Sequence, residues 1–434
     1  MRKPIIGLVV ALLLAAGCTV NKNNNATGTT STTKANTATT LHADSIRSPG
    51  VTDNSIKIGV TYVDVAALQK SGLNLDLGDY KGAYQALVDH INAQGGIDGR
   101  KLEVVFAPID PTNNTSAATA CVHLTEDEKV FAAVGFFLDQ AAVLCPAQTH
   151  DTAVIGGGQT PELLSQATAP WFTTVPGSEV PVKVVDAMHD KGLLTGKIAV
   201  FAHAKDAALM NNQVIPELEK LGVHPVDKAV LSAPPDDTAA VISGTRTIAQ
   251  SFKAAGATKV MLVGPSGADW FEGMANQSYK PQLLITDTSA VQAYLSNAGA
   301  HDYAMLDNAV QGGAYVLGTL VYDEPAMQAC FKIERAAGVK VPQPDPTDAN
   351  KKGYTGPEDA CQNMTLLEAI LTKAGKDLNY ATFRQAGYEL GQLTIPGDPA
   401  PRNYGPPPAT DGSPEAHLSY WDPSTKTFVD QPPS

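Results

Sequence analysis

The apolar positions of this chain recur with two periods, and the two periods alternate along the sequence. Residues 55–62 (SIKIGVTY) read as a strand. Residues 80–93 (YKGAYQALVDHINA) place apolar side chains every three to four positions, which predicts an amphipathic helix ended by Gly95 and Gly96. Further strands are predicted at residues 102–107, 130–135 and 152–155, with helices over 116–124 and from Asp139. This βαβαβαβ order predicts a parallel sheet with helices on both faces.

The same rhythm begins again after a link at residues 170–178 that contains Pro and Gly. The second series has predicted strands at residues 197–201, 228–232, 259–263 and 283–286, and predicted helices at 209–221, 236–254 and from Ala268. A third block has a strand from Ala314, helices over 326–337 and 364–374, and a last strand over 417–421. Two doubly wound units in succession predict two similar lobes.

Composition narrows the class of protein. The chain has 434 residues, of which 43% are hydrophobic, and its formal charge is −13. Length and apolar content suffice for two or three domains, while an acidic chain without basic clusters argues against nucleic acid as a partner. Residues 192–197 (GLLTGK) are one residue short of the phosphate-loop spacing, and the histidines are scattered. Neither a cofactor nor a metal site is predicted.

The N-terminus has the layout of an export signal. Arg2 and Lys3 precede a short apolar run at residues 5–16, which is too short to span a bilayer. Small residues directly before Cys18 resemble a bacterial lipobox, so residues 1–17 are predicted to be a signal peptide and Cys18 a lipidated N-terminus. The alternative is an ordinary secreted protein cut at a small-residue site. Residues 18–50 then form a tether, disordered over its Asn- and Thr-rich part.

Four cysteines remain once Cys18 is set aside, and export favours their oxidation. Four cysteines allow three pairings. The nearest-neighbour choice, Cys121–Cys145 with Cys330–Cys361, closes two moderate loops and is the one we predict. Zinc ligation is the competing interpretation, and it is disfavoured because no two of these cysteines are two to four residues apart.

Five segments of the sequence resemble one family, the extracellular solute-binding proteins of branched-chain amino-acid ABC transporters. They are VTDNSIKIGV (51–60), GAYQALVDHINAQGGIDGRKLEVVFAPIDP (82–111), PWFTTVP (170–176), LEKLGV (218–223) and FKAAGATKVMLVG (252–264). The resemblance implies the α/β type I periplasmic-binding-protein fold, with two Rossmann-like lobes joined by a three-segment hinge. Lobe 1 would comprise residues 51–171 and 324–411, and lobe 2 residues 177–322 and 412–434. The hinge crossings would be 172–176, about 323, and 411–412.

The most specific of these motifs, within residues 91–100, also has a physical interpretation. Gly95 and Gly96 supply a left-handed helix end, Ile97 seals it, and the chain turns at Gly99 and Arg100 into the next strand. Arg100 is therefore expected to be structural and not a ligand contact.

Candidate ligand contacts follow the strands, because open α/β sheets bind ligands beyond the carboxyl ends of their strands. In the first lobe the loops are GFFLDQ (135–140) and GGGQTPE (156–162). The resemblance implies small residues with Ser or Thr there, so these loops argue against a plain α-amino acid. The candidates are Phe137, Asp139, Gln140, Gly158, Gln159 and Thr160. Core packing of Phe137 and helix capping by Asp139 stay open as alternatives.

The second lobe offers three polar candidates, Asp206, Ser266 and Asp287. Asp287 is the first choice, since the resemblance implies an acidic partner for a ligand ammonium near this position. The alternative for each is an exposed turn or a helix cap.

An enzyme is the remote alternative. Ser266 follows a strand in the pattern of a relaxed nucleophile elbow, with Asp287 and either His301 or His417 downstream in hydrolase order. Pro265 would restrict the strained turn that such a serine needs, so we predict a protein that is not an enzyme.

These features together predict a monomeric receptor, lipid-anchored on the extracytoplasmic face of the cell membrane. It would capture a small polar or amphipathic solute, amino-acid or amide-like, in an interlobe cleft and deliver it to an ABC permease. Lobe closure would be favoured by the ligand's contacts with the second lobe. A lipoprotein that senses the ligand for a signalling partner is the alternative, because both functions need only a closing cleft and an exposed face.

Overall fold

The computed structural model describes residues 48–72, 75–113, 115–177, 179–234, 237–296, 302–314, 318–344, 352–398 and 400–432. The predicted signal peptide, Cys18 and His301 lie outside the described residues. Within the described ranges, none of the helices combines the length and the apolar character that crossing a membrane requires.

The first sheet of the described chain is parallel, with strand order β2-β1-β3-β4-β5. Its strands are β1 (Ser55–Val63), β2 (Lys101–Ile109), β3 (Ala132–Gly135), β4 (Ala153–Gly156) and β5 (Trp171–Phe172). The helices between them are α1 (Val65–Lys70), α2 (Tyr80–Ala93), α3 (Ser116–Val122), α4 (Gln140–Leu144) and α5 (Pro161–Gln166). This sheet with its flanking helices is called the first lobe below.

A second sheet repeats the winding, with β6 central between β7 and β8 and with β9 and β10 following outward. Its parallel strands are β6 (Ile198–His203), β7 (Asp227–Leu231), β8 (Lys259–Leu262), β9 (Gln282–Ile285) and β10 (Val310–Gly313). The helices are α6 (Val180–Asp190), α7 (Ala207–Leu209), α8 (Ile215–Lys220), α9 (Thr238–Ala254), α10 (Ala268–Met274) and α11 (Thr288–Ser296). This sheet with its helices is called the second lobe. The predicted α/β fold class with two Rossmann-like units is confirmed.

The C-terminal part of the chain returns to both sheets. It forms α12 (Gly318–Asp323), α13 (Pro325–Ala336), α14 (Thr355–Ala374), α15 (Tyr380–Tyr388), a hairpin of β11 (Gly391–Leu393) and β12 (Arg402–Tyr404), and finally β13 (His417–Asp422) and β14 (Thr427–Val429). Helices α13 to α15 pack in the first lobe. In the second lobe, β13 pairs antiparallel with β10, and β14 pairs antiparallel with β13. The sequence analysis missed the helices α1, α5, α6, α11, α12 and α15 and the strands β5, β11, β12 and β14. It began α14 nine residues late, and it placed a strand from Ala314 where the structure has β10 end at Gly313.

Helix α2 and the turn after it follow the sequence chemistry. The Asp79 carboxylate accepts the Gly82 N–H at 2.8 Å and caps the helix start. Gly95 and Gly96 have φ of +107° and +74°, and the Gly96 N–H closes on the Ile91 carbonyl at 3.0 Å. Arg100 is buried and donates to the Gly375 carbonyl at 2.7 Å, just beyond the end of α14. Its predicted structural role is confirmed.

The hydrophobic cores show where the chain passes between the sheets. One core takes side chains from residues 51–172 and 321–404, and two others, on the second sheet, lie within residues 180–314 and 199–428. Val321 and Tyr322 belong to the core of the first lobe. The second crossing therefore lies before Val321, and the predicted crossing near residue 323 is too far along the chain, because these two apolar side chains already pack against α13.

The folded part also starts earlier than the predicted tether boundary at residue 50. Ser48 is buried, and its hydroxyl accepts the Tyr380 N–H at 3.0 Å. Gly50 has φ of +73° and its carbonyl accepts the Lys57 N–H at 2.7 Å, so a tight turn holds this segment on the first sheet.

Two disulfides lie in the first lobe. The structure joins Cys121 to Cys145 and Cys330 to Cys361, which is the nearest-neighbour pairing. The first connects the segments after β2 and β3, and the second connects α13 to α14. Both bonds therefore lie within the first lobe.

Candidate functional site

Strand order places one crevice in each lobe. In the first sheet the chain winds outward in opposite directions from β1, so the helices after β1 and β3 leave on opposite faces and open a gap at the carboxyl ends of these two strands. In the second sheet the same reversal occurs between β6 and β8. Ligands bind at such switch points, and the residues found there are the candidates.

Asp206 and Ser266 meet at the switch point of the second lobe. Asp206 follows β6, Ser266 follows β8, and the Ser266 N–H donates to the Asp206 carboxylate at 3.0 Å. Gly264 makes the approach possible, because a Cβ there would lie 2.5 Å from Cγ of Asp206. The sequence analysis predicted these two residues separately, and the fold brings them together.

The surroundings of Asp206 make its charge costly. Burial raises the pKa of the Asp206 carboxyl; hydrogen bonds from Ser266 lower this pKa, and the nearby Asp287 raises it further. All three side chains stay partly exposed, so a solute can reach them. Asp287 accepts the Ser289 N–H at 2.9 Å and the Ser289 hydroxyl at 2.5 Å, which is the capping role weighed against a ligand role. Its carboxylate nevertheless adds negative charge to the switch point.

The first-lobe switch point is built from residues that the sequence analysis did not single out. The Tyr84 hydroxyl, on α2, donates to the Asp359 carboxylate at 2.9 Å. The Asn363 amide, one turn along α14, donates to the other Asp359 oxygen at 3.0 Å and to the Tyr84 hydroxyl at 3.1 Å. A Cβ on Gly135, the last residue of β3, would lie 3.0 Å from the Tyr84 hydroxyl, which places this triad at the carboxyl edge of the sheet.

The triad is partly buried, and burial sets its protonation. Burial raises the pKa of Asp359 to about 6, and the hydrogen bonds from Tyr84 and Asn363 act against this rise. Burial and the Asp359 charge hold the pKa of the Tyr84 hydroxyl well above its usual value, so it stays a donor. The arrangement offers a solute one partly exposed carboxylate, that of Asp359, whose orientation is fixed by the buried Tyr84 hydroxyl and the buried Asn363 amide.

Most of the first-lobe residues predicted from the loops have structural partners. Asp139 caps α4 by accepting the Ala142 N–H at 2.8 Å, and Thr160 caps α5 by accepting the Leu163 N–H at 3.3 Å. Phe137 packs between two small apolar clusters, which is the core packing left open as the alternative to a ligand contact. Gly158 is exposed with open space around it, and Gln140 begins α4.

Gln159 is held inside the protein. Its side chain is 5% exposed, its amide donates to the Trp171 carbonyl at 3.2 Å, and its amide oxygen accepts the Thr410 hydroxyl at 2.8 Å. Both ends of the amide are therefore occupied by protein groups. Gln159 thus connects the end of β4 to the segment between β12 and β13, and its contact with a solute stays a prediction.

Comparison with known proteins identifies the fold. Neither a protein-family profile nor a curated protein matches the sequence. Among solved structures, a leucine-complexed ABC transporter substrate-binding protein from Desulfitobacterium hafniense superposes with a TM-score of 0.58 at 15% identity, covering 87% of this chain and 100% of that one. A periplasmic binding protein type 1 from Bordetella pertussis gives 0.59 at 14% identity, with 88% and 100% covered. The chain has the type I periplasmic-binding-protein fold.

Other structures with the type I fold are named for different solutes. The solute-binding protein from R. palustris, in complex with 4-hydroxybenzoate, has a TM-score of 0.58 at 16% identity and covers 88% of this chain with 96% of its own. A fatty acid ABC transporter substrate-binding protein from Thermomonospora curvata has 0.54 at 16%, with 89% and 94% covered. These named neighbours are substrate-binding proteins, and their identity to this chain is too low to transfer a solute.

Within the type I fold, Arg402 holds together two of the three crossings, the segments through which the chain passes between the two sheets. Its guanidinium is 2% exposed, donates to the Asp398 carboxylate at 3.0 Å, and reaches the Thr174 carbonyl of the first crossing at 2.6 Å and the Asp411 carbonyl of the third at 3.2 Å. Asp411 in turn accepts the Gly177 N–H at 2.7 Å. The two crossings are thus tied to each other and to the hairpin of β11 and β12.

A signal for the missed triad was present in the sequence. Residues 355–359 (TGPED) put a proline and two acids in one turn, which is typical of a helix start. The sequence analysis began the helix at Met364, so Asp359 fell outside it. Tyr84 lies within the helix predicted over residues 80–93, and a tyrosine in an amphipathic helix gives no sign that its hydroxyl meets a carboxylate.

Proposed function

We propose that this protein is a lipid-anchored extracytoplasmic receptor that captures a small polar or amphipathic solute, amino-acid or amide-like, between its lobes for an ABC permease. The observation that carries the proposal is the pair of switch points, each with a partly exposed carboxylate held in place by hydrogen bonds. Asp206 and Ser266 would contact the solute from the second lobe, and Asp359 from the first. The type I fold of named substrate-binding proteins supports this role.

Thermal unfolding of the oxidised protein against a solute panel tests the proposal. The panel contains amino acids, small amides, ureas, short peptides and aromatic acids. A solute at about 100 times its dissociation constant adds roughly 2.7 kcal/mol to the free energy of unfolding, so we expect the midpoint to rise by a few degrees. A rise confined to one chemical class supports capture of that class. No rise with any compound, in folded protein free of co-purified ligand, would contradict the proposal.

Asp206→Asn tests the second-lobe contact with the solute so identified. Asparagine keeps an oxygen that accepts the Ser266 N–H, so the loop geometry is expected to persist. Loss of the charge should weaken affinity about ten- to a hundredfold, because a hydrogen bond to a charged group contributes about 1.5–3 kcal/mol. Titration calorimetry measures this. Asp190→Asn, on an exposed side chain at the end of α6, is the control and should bind as wild type does. Equal affinities in all three proteins would remove Asp206 from the site.

Cys18→Ala tests the anchor. Two or more acyl chains hold a protein stably on a membrane, whereas a chain without the modified cysteine has none. We expect the wild-type protein in the membrane fraction and the variant released into the medium or retained as an unprocessed precursor. Immunoblotting of fractions separates these forms, and a mature variant that stays with the membrane would refute lipid anchoring at Cys18.

A further inference from the structure

Glu334 is a fully buried acid beside a disulfide. It lies on α13 with 0% of its surface exposed, and one carboxyl oxygen is 3.6 Å from the Sγ atom of Cys361. Its other carboxyl oxygen, Oε2, has no hydrogen-bond partner among the described residues. A buried polar atom without a partner costs free energy and calls for an explanation. The contact with the Cys361 sulfur is the feature of this carboxyl that can supply one.

The carboxyl keeps its proton at neutral pH. Burial raises the pKa of Glu334 to about 8, and the neighbouring Arg335 charge lowers it only in part. The Arg335 guanidinium is directed elsewhere, since it donates to the Tyr322 hydroxyl at 2.8 Å and lies over the Phe331 ring at 5.5 Å. Within the described part of the chain, Arg335 is the charged group that acts on the Glu334 carboxyl. A protonated carboxyl is a donor, and the sulfur is within its reach.

The two sulfurs of the disulfide differ in access. Cys361 is fully buried, whereas Cys330 is partly exposed. In thiol–disulfide exchange a thiolate attacks one sulfur and the other leaves as a thiolate. Attack from solvent falls on Cys330, so the leaving thiolate forms at Cys361, in the interior, where an unpaired charge is costly. Glu334 is the acid in contact with that sulfur.

We propose that Cys330, Cys361 and Glu334 form a thiol–disulfide exchange site for a dithiol reductant, in which Glu334 protonates the leaving sulfur of Cys361. The first reductant thiol loses its proton to water and attacks the Sγ atom of Cys330. The disulfide bond breaks, and Cys361 takes the bonding electron pair and the Glu334 proton. The second reductant thiol then loses its proton to water and attacks the reductant sulfur of the mixed disulfide. The reductant leaves as a cyclic disulfide, and Cys330 leaves as a thiolate. Cys330 and Glu334 recover protons from water, so one disulfide is reduced and one dithiol oxidised.

Reduction at this site reaches the solute site, on the basis of the function proposed above. The disulfide fastens α14 to α13, and Cys361 lies between Asp359 and Asn363 on α14. These two residues orient the first-lobe triad with Tyr84. Opening the disulfide releases one restraint on the turn of α14 that carries them.

The test compares two disulfides in the same molecule and requires no solute. The oxidised full-length protein is treated with dithiothreitol between pH 6.5 and 9, quenched with an alkylating reagent, and analysed by peptide mass spectrometry. The reduction rate of Cys330–Cys361 is divided by that of Cys121–Cys145, which cancels the ionisation of the reductant. We expect this ratio to fall as the pH rises through about 8, because Glu334 then loses its proton. A ratio independent of pH would overturn the proposal.

Two variants sharpen the result. Glu334→Gln keeps the shape but has no proton to transfer, so at pH 7 we expect the rate ratio to drop at least about tenfold, since positioned acids contribute a hundredfold or more. Glu368→Gln removes a partly buried acid from the same helix α14 and should leave the ratio unchanged. Equal ratios in wild type and Glu334→Gln would overturn the proposal. If Glu334→Gln does not fold, the wild-type pH profile decides.

Discussion

Replacing Arg402 by methionine is expected to lower the free energy of unfolding by about 3–5 kcal/mol, since removing one partner of a buried ion pair leaves the other charge uncompensated. Asp398 is 6% exposed and would lose the cation that faces it. The carbonyls of Thr174 and Asp411 would lose their shared donor as well. Urea unfolding at neutral pH, followed by circular dichroism, measures the loss.

Two further variants separate the ion pair from general damage. Arg384→Met removes a partly exposed arginine that bonds the Thr168 carbonyl, and it should cost less than about 1 kcal/mol. The double variant Arg402→Met with Asp398→Leu leaves no buried charge and should recover part of the lost stability. If Arg402→Met alone cost less than about 1 kcal/mol, the role of Arg402 in holding the hinge crossings would be refuted.

The second large effect is a fall in stability with rising pH that originates at Glu334. The pKa of its carboxyl is about 8 in the folded protein against an ordinary value of 4.5. Between these values the folded protein holds a proton that the unfolded chain has released. This stabilising contribution is therefore complete below pH 4.5 and is lost as the pH rises through 8. Each pH unit changes the free energy of unfolding by at most about 1.4 kcal/mol, which amounts to roughly 3–5 kcal/mol in all.

The Glu334→Gln variant isolates the contribution of this carboxyl to the pH dependence of stability. The variant cannot titrate at position 334, so the difference in stability between variant and wild type should grow in the variant's favour from about pH 5 to about pH 8 and then level off. Urea unfolding at five pH values measures it, and Glu219→Gln, on an exposed side chain of α8, should follow the wild-type curve. Parallel curves for wild type and Glu334→Gln would show that Glu334 titrates normally.

The sequence predicted the fold well where the spacing of apolar residues and the residues that end an element indicated the same structure. Helix α2 and its double-glycine end were identified, because the apolar stripe and the backbone requirement are both local. Strand β10 and the start of α14 were placed less well. Val310–Gly313 has two glycines in four residues, and α14 opens with a Thr-Gly-Pro sequence that is also typical of a loop. Tertiary packing overrides the weak local preference at both elements.

The candidate site was predicted only in part, and the reason is physical. Loops after strands can be read from the sequence, so Asp206 and Ser266 were found. Whether a polar side chain faces a solute or caps a helix depends on partners far along the chain, as Gln159 with Thr410 illustrates. The triad of Tyr84, Asp359 and Asn363 joins residues more than 270 positions apart, a separation at which no local pattern operates.

The interleaving of the chain also fixes an order of assembly during synthesis. The core of the first lobe needs side chains up to Tyr404, so this lobe stays incomplete until almost the whole chain has been made. The parallel strands of the second lobe, by contrast, are all complete at Gly313. At that point the second sheet lacks only β13 and β14. Since contacts between distant segments form slowly, the N-terminal half of the first lobe is the part whose apolar side chains stay exposed longest during synthesis. A chaperone that binds exposed apolar segments would meet these strands first.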